Sequence, residues 1–80
     1  MGDKYIRVLR DGFVSMDMAQ NILVIKTVSG MAMAVAAAVD AMKFKEIVGC
    51  IAGDDTIMMA VRTVEDTQVL MEKIKSMIDR

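Results

Sequence analysis

Two nearly uninterrupted apolar segments, separated by a short acidic turn, constrain the fold of this chain more than any other feature. The segments run from Glu46 to Ala52 and from Thr56 to Val61, and the turn between them reads Gly53-Asp54-Asp55. Gly and Asp favour tight turns, and short apolar runs rich in β-branched residues favour strands. The sequence therefore predicts a β-hairpin. Because its strands hardly alternate between apolar and polar residues, we expect them to be buried on both faces.

The preceding sequence predicts a second hairpin and a helix. Residues from Val14 to Met18 alternate between apolar and polar, Ala19-Gln20-Asn21 offers turn residues, and Ile22 to Val28 is rich in β-branched residues. After a break at Ser29-Gly30, the segment from Met31 to Lys43 contains neither Gly nor Pro and consists largely of Ala, Met and Val, which favours a helix. Its apolar residues occupy every side of that helix, so we expect it to contact more than one body.

A last helix is predicted from Thr63 to about Ile78. Thr63 is suited to cap the helix, and acidic residues follow in its first turn. The predicted buried stripe consists of Thr67, Leu70, Met71, Ile74, Met77 and Ile78. The order β-β-α-β-β-α predicts an α+β two-layer sandwich, with a four-stranded, mainly antiparallel sheet and two helices on one face. Asp3 to Asp11 carries Lys4, Arg7 and Arg10 at helical spacing and is predicted to be no more than a lead-in with a helical turn.

Composition indicates that the apolar surface exceeds what one small domain can bury. We interpret the 80 residues as one domain spanning 1–80. Hydrophobic residues make up 55% of them. The longest apolar run, Met31 to Val39, is far shorter than the roughly 18 residues that cross a bilayer. We therefore expect no membrane partner. We expect the excess apolar surface to be buried against other subunits. The net charge of −1 argues against nucleic-acid binding by this segment itself.

The reactive side chains exclude much of enzymology. The chain has no His and a single Cys, Cys50, which rules out a thiolate or imidazole metal site and a His-dependent triad. A lone cysteine without an apolar secretory segment fits a reducing cytosol. We expect a cytoplasmic protein that is not an enzyme.

Asp54 and Asp55 are the leading candidates for binding, and the residues alone leave several interpretations open. The pair could simply form an exposed turn. It could bind a divalent cation with Thr56, and with Asp40 or Asp17 if folding brings one of them near. It could form an acid–base dyad. Finally, the two carboxylates could accept a guanidinium or ammonium group through charge-assisted hydrogen bonds, which is the chemically simplest choice.

The segment from Gly49 to Ile57 resembles the signature of the C-terminal domain of bacterial arginine repressors, Gly-Thr-Ile-(Ala/Cys)-Gly-Asp-Asp-Thr-Ile. Eight of its nine positions match, with Cys50 in place of Thr. The resemblance covers nearly the whole chain, and its further landmarks are Asp11-Gly12-Phe13-Val14, the strand from Ile22 to Thr27, Gly30, Asp40 and the segment from Arg62 to Thr67.

The resemblance implies a domain that trimerises and pairs two trimers into a hexamer, with L-arginine as effector between the trimers and no metal. It implies that Asp54 and Asp55 take the guanidinium group, that Asp40 holds the amino-acid end, and that the Cys50 backbone carbonyl and Ala32 contribute. Family members regulate arginine biosynthesis and catabolism and contact operator DNA through an N-terminal winged helix-turn-helix, which is absent from these 80 residues. This chain is therefore expected to bind DNA only through such a further domain.

Two positions depart from the family pattern. Ser29 stands where the family has Pro, and Met33 stands where it has a Gln associated with ligand contact. Met33 cannot reproduce the hydrogen bonds of an amide, so we expect weaker arginine affinity, unless Met33 only fills the core. One alternative to an arginine sensor is a constitutive oligomerisation module, or a paralogue that has lost or changed its ligand. The other is a small hydrolase or metal-dependent enzyme using Asp54, Asp55 and Asp40.

Overall fold

A computed structural model describes residues 3–79, which form three helices and four strands. The elements in chain order are α1 (Asp3–Gly12), β1 (Phe13–Ala19), β2 (Ile22–Thr27), α2 (Ala32–Ala41), β3 (Ile47–Ala52), β4 (Thr56–Val61) and α3 (Val64–Ile78). The strands form one antiparallel sheet in the order β1-β2-β4-β3. The predicted α+β sandwich with a four-stranded sheet is confirmed, but the helices number three rather than two.

The additional helix is α1, where the sequence predicted only a lead-in. Leu9 is fully buried, and Tyr5, Ile6 and Val8 pack against the core from the same helix. This helix lies against α2 and α3, and the Arg10 Nε donates a hydrogen bond of 3.0 Å to the carbonyl of Met77. A helix this short is marginal in isolation, so its stability comes from these tertiary contacts.

The inner face of the sheet carries the core. The buried side chains are Leu23 and Ile25 from β2, Ile57, Met59 and Val61 from β4, Val35 and Val39 from α2, and Leu70 and Ile74 from α3. Helix α3 begins as predicted, because the Thr63 hydroxyl accepts a hydrogen bond of 2.9 Å from the Asp66 N–H. Its predicted stripe is buried or half-buried throughout, which confirms the assignment of that face.

The centre of the outer face of the sheet is apolar, and no helix among residues 3–79 covers it. Residues paired directly across antiparallel strands share a face, and the pairs Ile22–Ala60, Val24–Met58 and Ile51–Met58 all lie outside. We call these residues, Ile22, Val24, Ile51, Met58 and Ala60, the outer apolar patch. Ile51 is 79% exposed and Met58 is 50% exposed. Within one chain, the prediction that both strands of the hairpin are buried on both faces is therefore wrong.

One ion pair joins the start of β3 to α3. Glu46 is only 4% exposed, and its Oε2 lies 2.6 Å from the Lys73 Nζ. The hydrogen bond from Lys73 is the main cause that holds the pKa of Glu46 below its ordinary value. The other carboxylate oxygen, Oε1, is buried without a hydrogen-bond partner among residues 3–79. Across the same described range, no helix has both the length and the apolar character that a bilayer crossing requires.

Candidate functional site

The β3–β4 turn is held in place by backbone hydrogen bonds to two other elements. Within the turn, the Gly53 N–H donates to the Thr56 carbonyl at 2.8 Å. The Asp55 carbonyl accepts from the Thr27 N–H at 2.7 Å, and the Asp54 carbonyl accepts from the Ala32 N–H at 3.1 Å. The turn is thus fixed to the end of β2 and to the first residue of α2, while Asp54 and Asp55 themselves remain exposed.

Among residues 3–79, each of the two carboxylates accepts a hydrogen bond through only one of its oxygens. The Asp54 Oδ2 accepts a hydrogen bond of 3.3 Å from the Gly30 N–H, and the Asp55 Oδ1 accepts one of 2.9 Å from the Thr56 hydroxyl. Neither aspartate forms an ion pair with any residue from 3 to 79. Two adjacent carboxylates therefore keep acceptor capacity that the described part of the chain does not use.

A lysine lies behind this pair. The Lys26 Nζ donates a hydrogen bond of 2.9 Å to the Thr56 Oγ1, whose hydroxyl in turn donates to Asp55. Lys26 and Thr56 are directly opposite each other in the β2–β4 register, so sheet pairing sets this contact. From the sequence, Thr56 is predicted only as a possible metal ligand, and Lys26 is not predicted as a site residue. The available signal was that Lys26 is the single charged residue in the apolar strand from Ile22 to Thr27.

The start of α2 forms one wall of the site. Its N-cap residue, Met31, makes no side-chain capping bond, and the Asp54 carbonyl accepts from the first helical N–H instead. Gly30 precedes it with a φ of 80°, a backbone conformation that favours Gly. Ala32 is fully buried, whereas Met33 is 72% exposed. The alternative that Met33 fills the core is therefore wrong for the single chain.

Asp40 and Cys50 lie apart from the aspartate pair. Asp40 is near the end of α2, eight residues beyond Ala32, which corresponds to about 12 Å along the helix axis. Its Oδ1 is 3.8 Å from the Cys50 Sγ, which donates to it. Burial raises the pKa of the Cys50 thiol, and the Asp40 carboxylate adds to that effect. Of the predicted site residues, the structure brings Ala32 to the Asp54–Asp55 turn, with Met33 next to it in α2, while Asp40 and Cys50 form a second cluster.

Other clusters of ligating side chains are lacking in the described chain. Residues 3–79 contain no group of three or more His, Cys, Asp or Glu side chains arranged to hold a metal ion. Asp17 lies on β1, at the opposite edge of the sheet from β3, and does not join the turn.

Comparison with known proteins identifies the family. The profile described as arginine repressor, C-terminal domain, matches residues 9–76. The chain belongs to the arginine repressor C-terminal domain family. The suspected resemblance is thereby confirmed, and so is the expectation of a domain that is not an enzyme, because the family consists of repressors.

Individual relatives agree with the family match. The chain is 71% identical to an arginine repressor of Lachnoclostridium phytofermentans, over 99% of this chain and 52% of the relative. It is 71% identical to one from Lachnospira eligens, over 95% of this chain and 50% of the relative, and 47% identical to one from a Thermoanaerobacter species, over 95% and 51%. The chain thus spans about half the length of the curated relatives it matches.

Proposed function

We propose that this arginine repressor domain binds L-arginine through Asp54 and Asp55 and couples that binding to subunit assembly. The observation that carries the proposal is a pair of adjacent, exposed carboxylates on a turn fixed by backbone hydrogen bonds, with acceptor capacity left over on both. A guanidinium group presents paired donors in a rigid plane that match two carboxylates. The ligand also supplies positive charge next to two carboxylates that form no ion pair among residues 3–79.

The remaining contacts to the ligand come from a second subunit in this proposal. Asp40 stands about 12 Å along α2 from the turn of its own chain, which is too far for one small ligand group to contact both. Asp40 and the Cys50 backbone carbonyl of another subunit then hold the amino-acid end, between two trimers of a hexamer. Ala32 contacts the turn through its N–H, and the exposed Met33 follows it in α2. Because Met33 offers no amide, affinity is expected to be weaker than with a Gln at that position.

Exposed apolar surface supports assembly. The outer apolar patch and the exposed alanines of α2, Ala34 and Ala37, are the surfaces through which we expect trimers to form. Arginine then stabilises the pairing of trimers by linkage. The gain is about 2.7 kcal/mol per site at a hundredfold excess over the dissociation constant. Assembly and arginine binding must strengthen each other reciprocally.

The names of the relatives support a wider role. We propose a cytoplasmic transcriptional regulator of arginine biosynthesis or catabolism in which this domain presents DNA-binding domains to the operator. The domain itself carries a net charge of −1, so operator DNA would be contacted through the part of such relatives that this chain does not match.

A second candidate, favoured by the outer apolar patch, is an oligomerisation module that assembles without a ligand. In that case Asp54 serves only to cap α2 through its carbonyl. This alternative predicts the same sedimentation distribution with and without L-arginine, and no heat of arginine binding.

Isothermal titration calorimetry tests the proposal. We expect L-arginine to bind the wild type, L-citrulline to fail because its urea group carries no charge, and Asp54→Asn and Asp55→Asn each to weaken binding by at least about tenfold. Asp79→Asn, at an exposed residue after α3, is the matched control and should bind normally. Undiminished heat in both site variants would refute the assignment.

A further inference from the structure

We infer that Lys26 and Thr56 are positioning residues that hold the Asp55 carboxylate in one orientation, and that this sets the preference for a guanidinium over an ammonium ligand. The inference rests on the proposed function, because it specifies how the proposed site selects its ligand. Neither residue is required to touch the ligand.

The hydrogen bonds from Lys26 to Thr56 and from Thr56 to Asp55 can run in only one direction. An ammonium group has no acceptor, so Lys26 donates to the Thr56 hydroxyl at 2.9 Å. The hydroxyl has a single proton, which it gives to the Asp55 Oδ1 at 2.9 Å. A donor that is itself polarised by a cation makes a stronger hydrogen bond to a carboxylate. Asp55 therefore has one oxygen committed and the other left for a ligand.

Asp54 is restrained in a similar way by a different element. Its Oδ2 accepts from the Gly30 N–H at 3.3 Å, and its carbonyl is fixed by the Ala32 N–H. Each aspartate thus keeps one free oxygen for a ligand, and the orientation of that oxygen is restricted. A planar guanidinium gains from two acceptors in fixed positions, whereas a rotating ammonium group tolerates loose ones. Loss of the restraint on the Asp55 carboxylate should therefore weaken arginine binding more than lysine binding.

Lys26 also reduces the net negative charge around Asp54 and Asp55. Its ammonium lies two hydrogen bonds from the Asp55 carboxylate, so it offsets part of the negative charge before any ligand arrives. This reduces the attraction for every small cation, while the geometry still rewards the guanidinium. Removing Lys26 should raise affinity for cations in general and lower the discrimination between them.

The test measures dissociation constants for L-arginine and L-lysine by two-dimensional NMR titration, following the Gly53 amide, which is present in every variant. Thr56→Val keeps the β-branched shape and the Lys26 charge but breaks the hydrogen bond to Asp55. We expect it to weaken arginine binding about tenfold with lysine binding unchanged. Thr56→Ser restores the hydroxyl, so the ratio of arginine affinity to lysine affinity should stay at its wild-type value. Lys26→Met should lower the ratio by a smaller factor, and the control Lys45→Met, at another exposed lysine, should not change it.

The outcomes separate this inference from the proposed function. An unchanged arginine-to-lysine ratio in Thr56→Val, or an equal loss in Thr56→Ser, would overturn the positioning role while leaving arginine binding intact. Absence of arginine binding by the wild type would overturn both.

Discussion

Glu46 and the Asp54–Asp55 pair lie near opposite ends of β3 and show two ways in which one domain uses carboxylates. Glu46 is 4% exposed and is matched within its own chain by Lys73, whose Nζ lies 2.6 Å away. Asp54 and Asp55 are exposed and form no ion pair among residues 3–79. Burial with an internal cation makes an acid part of the fold, whereas exposure on a fixed turn leaves it available to a partner.

The largest effect is expected from breaking the internal pair. Lys73→Met leaves the buried Glu46 carboxylate without its cation, and one of its oxygens already lacks a hydrogen-bond partner. We expect a clear drop in the thermal unfolding temperature. Lys75→Met, at an exposed residue two positions further along the same helix, is the control and should change little. Equal melting temperatures for the two variants would show that the pair does not stabilise the fold.

Acid titration gives a smaller effect with a defined sign. The pKa of Glu46 is lowered in the folded chain, chiefly by the hydrogen bond from Lys73. Its contribution to stability is therefore present above the unfolded pKa of about 4.3 and is lost as the pH falls through the lower folded pKa. We expect the stability difference between wild type and Glu46→Gln to be constant near neutral pH and to shrink in acid. Chemical denaturation across a pH series measures it, and a difference that grows in acid would contradict the sign.

Substitutions in the aspartate pair, unlike those at Glu46 and Lys73, should hardly change the stability of the ligand-free domain. Because no ion pair is lost, Asp54→Asn and Asp55→Asn should change the ligand-free stability by no more than about 0.5 kcal/mol. An amide oxygen can still accept from the Gly30 N–H or the Thr56 hydroxyl. Urea denaturation without L-arginine checks this expectation. A large loss in either variant would mean that the pair is structural, as Glu46 is.

The smallest effect is expected for Asp40, an exposed residue next to the Cys50 thiol. It accepts a weak hydrogen bond from the Cys50 thiol, whose pKa is raised first by burial and then by Asp40. Asp40→Asn should lower the thiol pKa without restoring its ordinary value, because burial remains. The pH dependence of iodoacetamide alkylation measures this shift. Identical profiles for wild type and variant would remove Asp40 from the environment of Cys50.

The sequence predicted the sheet and α3 because their signals are local. Alternation marks β1, Gln20-Asn21 marks its turn, and Thr63 caps α3 with a hydrogen bond to the Asp66 N–H. Helix α1 was underestimated because its stability is tertiary. An added Cβ on Gly12 would lie 2.5 Å from the Val35 Cγ2, so glycine permits a close approach between α1 and α2 that no local pattern reveals.

The candidate site was only partly predictable for a related reason. Turn chemistry and the signature from Gly49 to Ile57 identified Asp54 and Asp55. The roles of Gly30, Lys26 and Thr56 depend on the β2–β4 register and on how the turn docks against α2, which are long-range features. The hairpin was predicted to be buried on both faces because apolar runs do not reveal whether the cover belongs to the same chain.

A crystal structure of the domain grown with L-arginine tests the central proposal most directly. We expect the guanidinium to contact the oxygens of Asp54 and Asp55 that Gly30 and Thr56 leave free, with Asp40 of a different subunit at the amino-acid end of the ligand. A guanidinium located elsewhere, or a ligand held by the Asp40 and the aspartate pair of one chain, would contradict it.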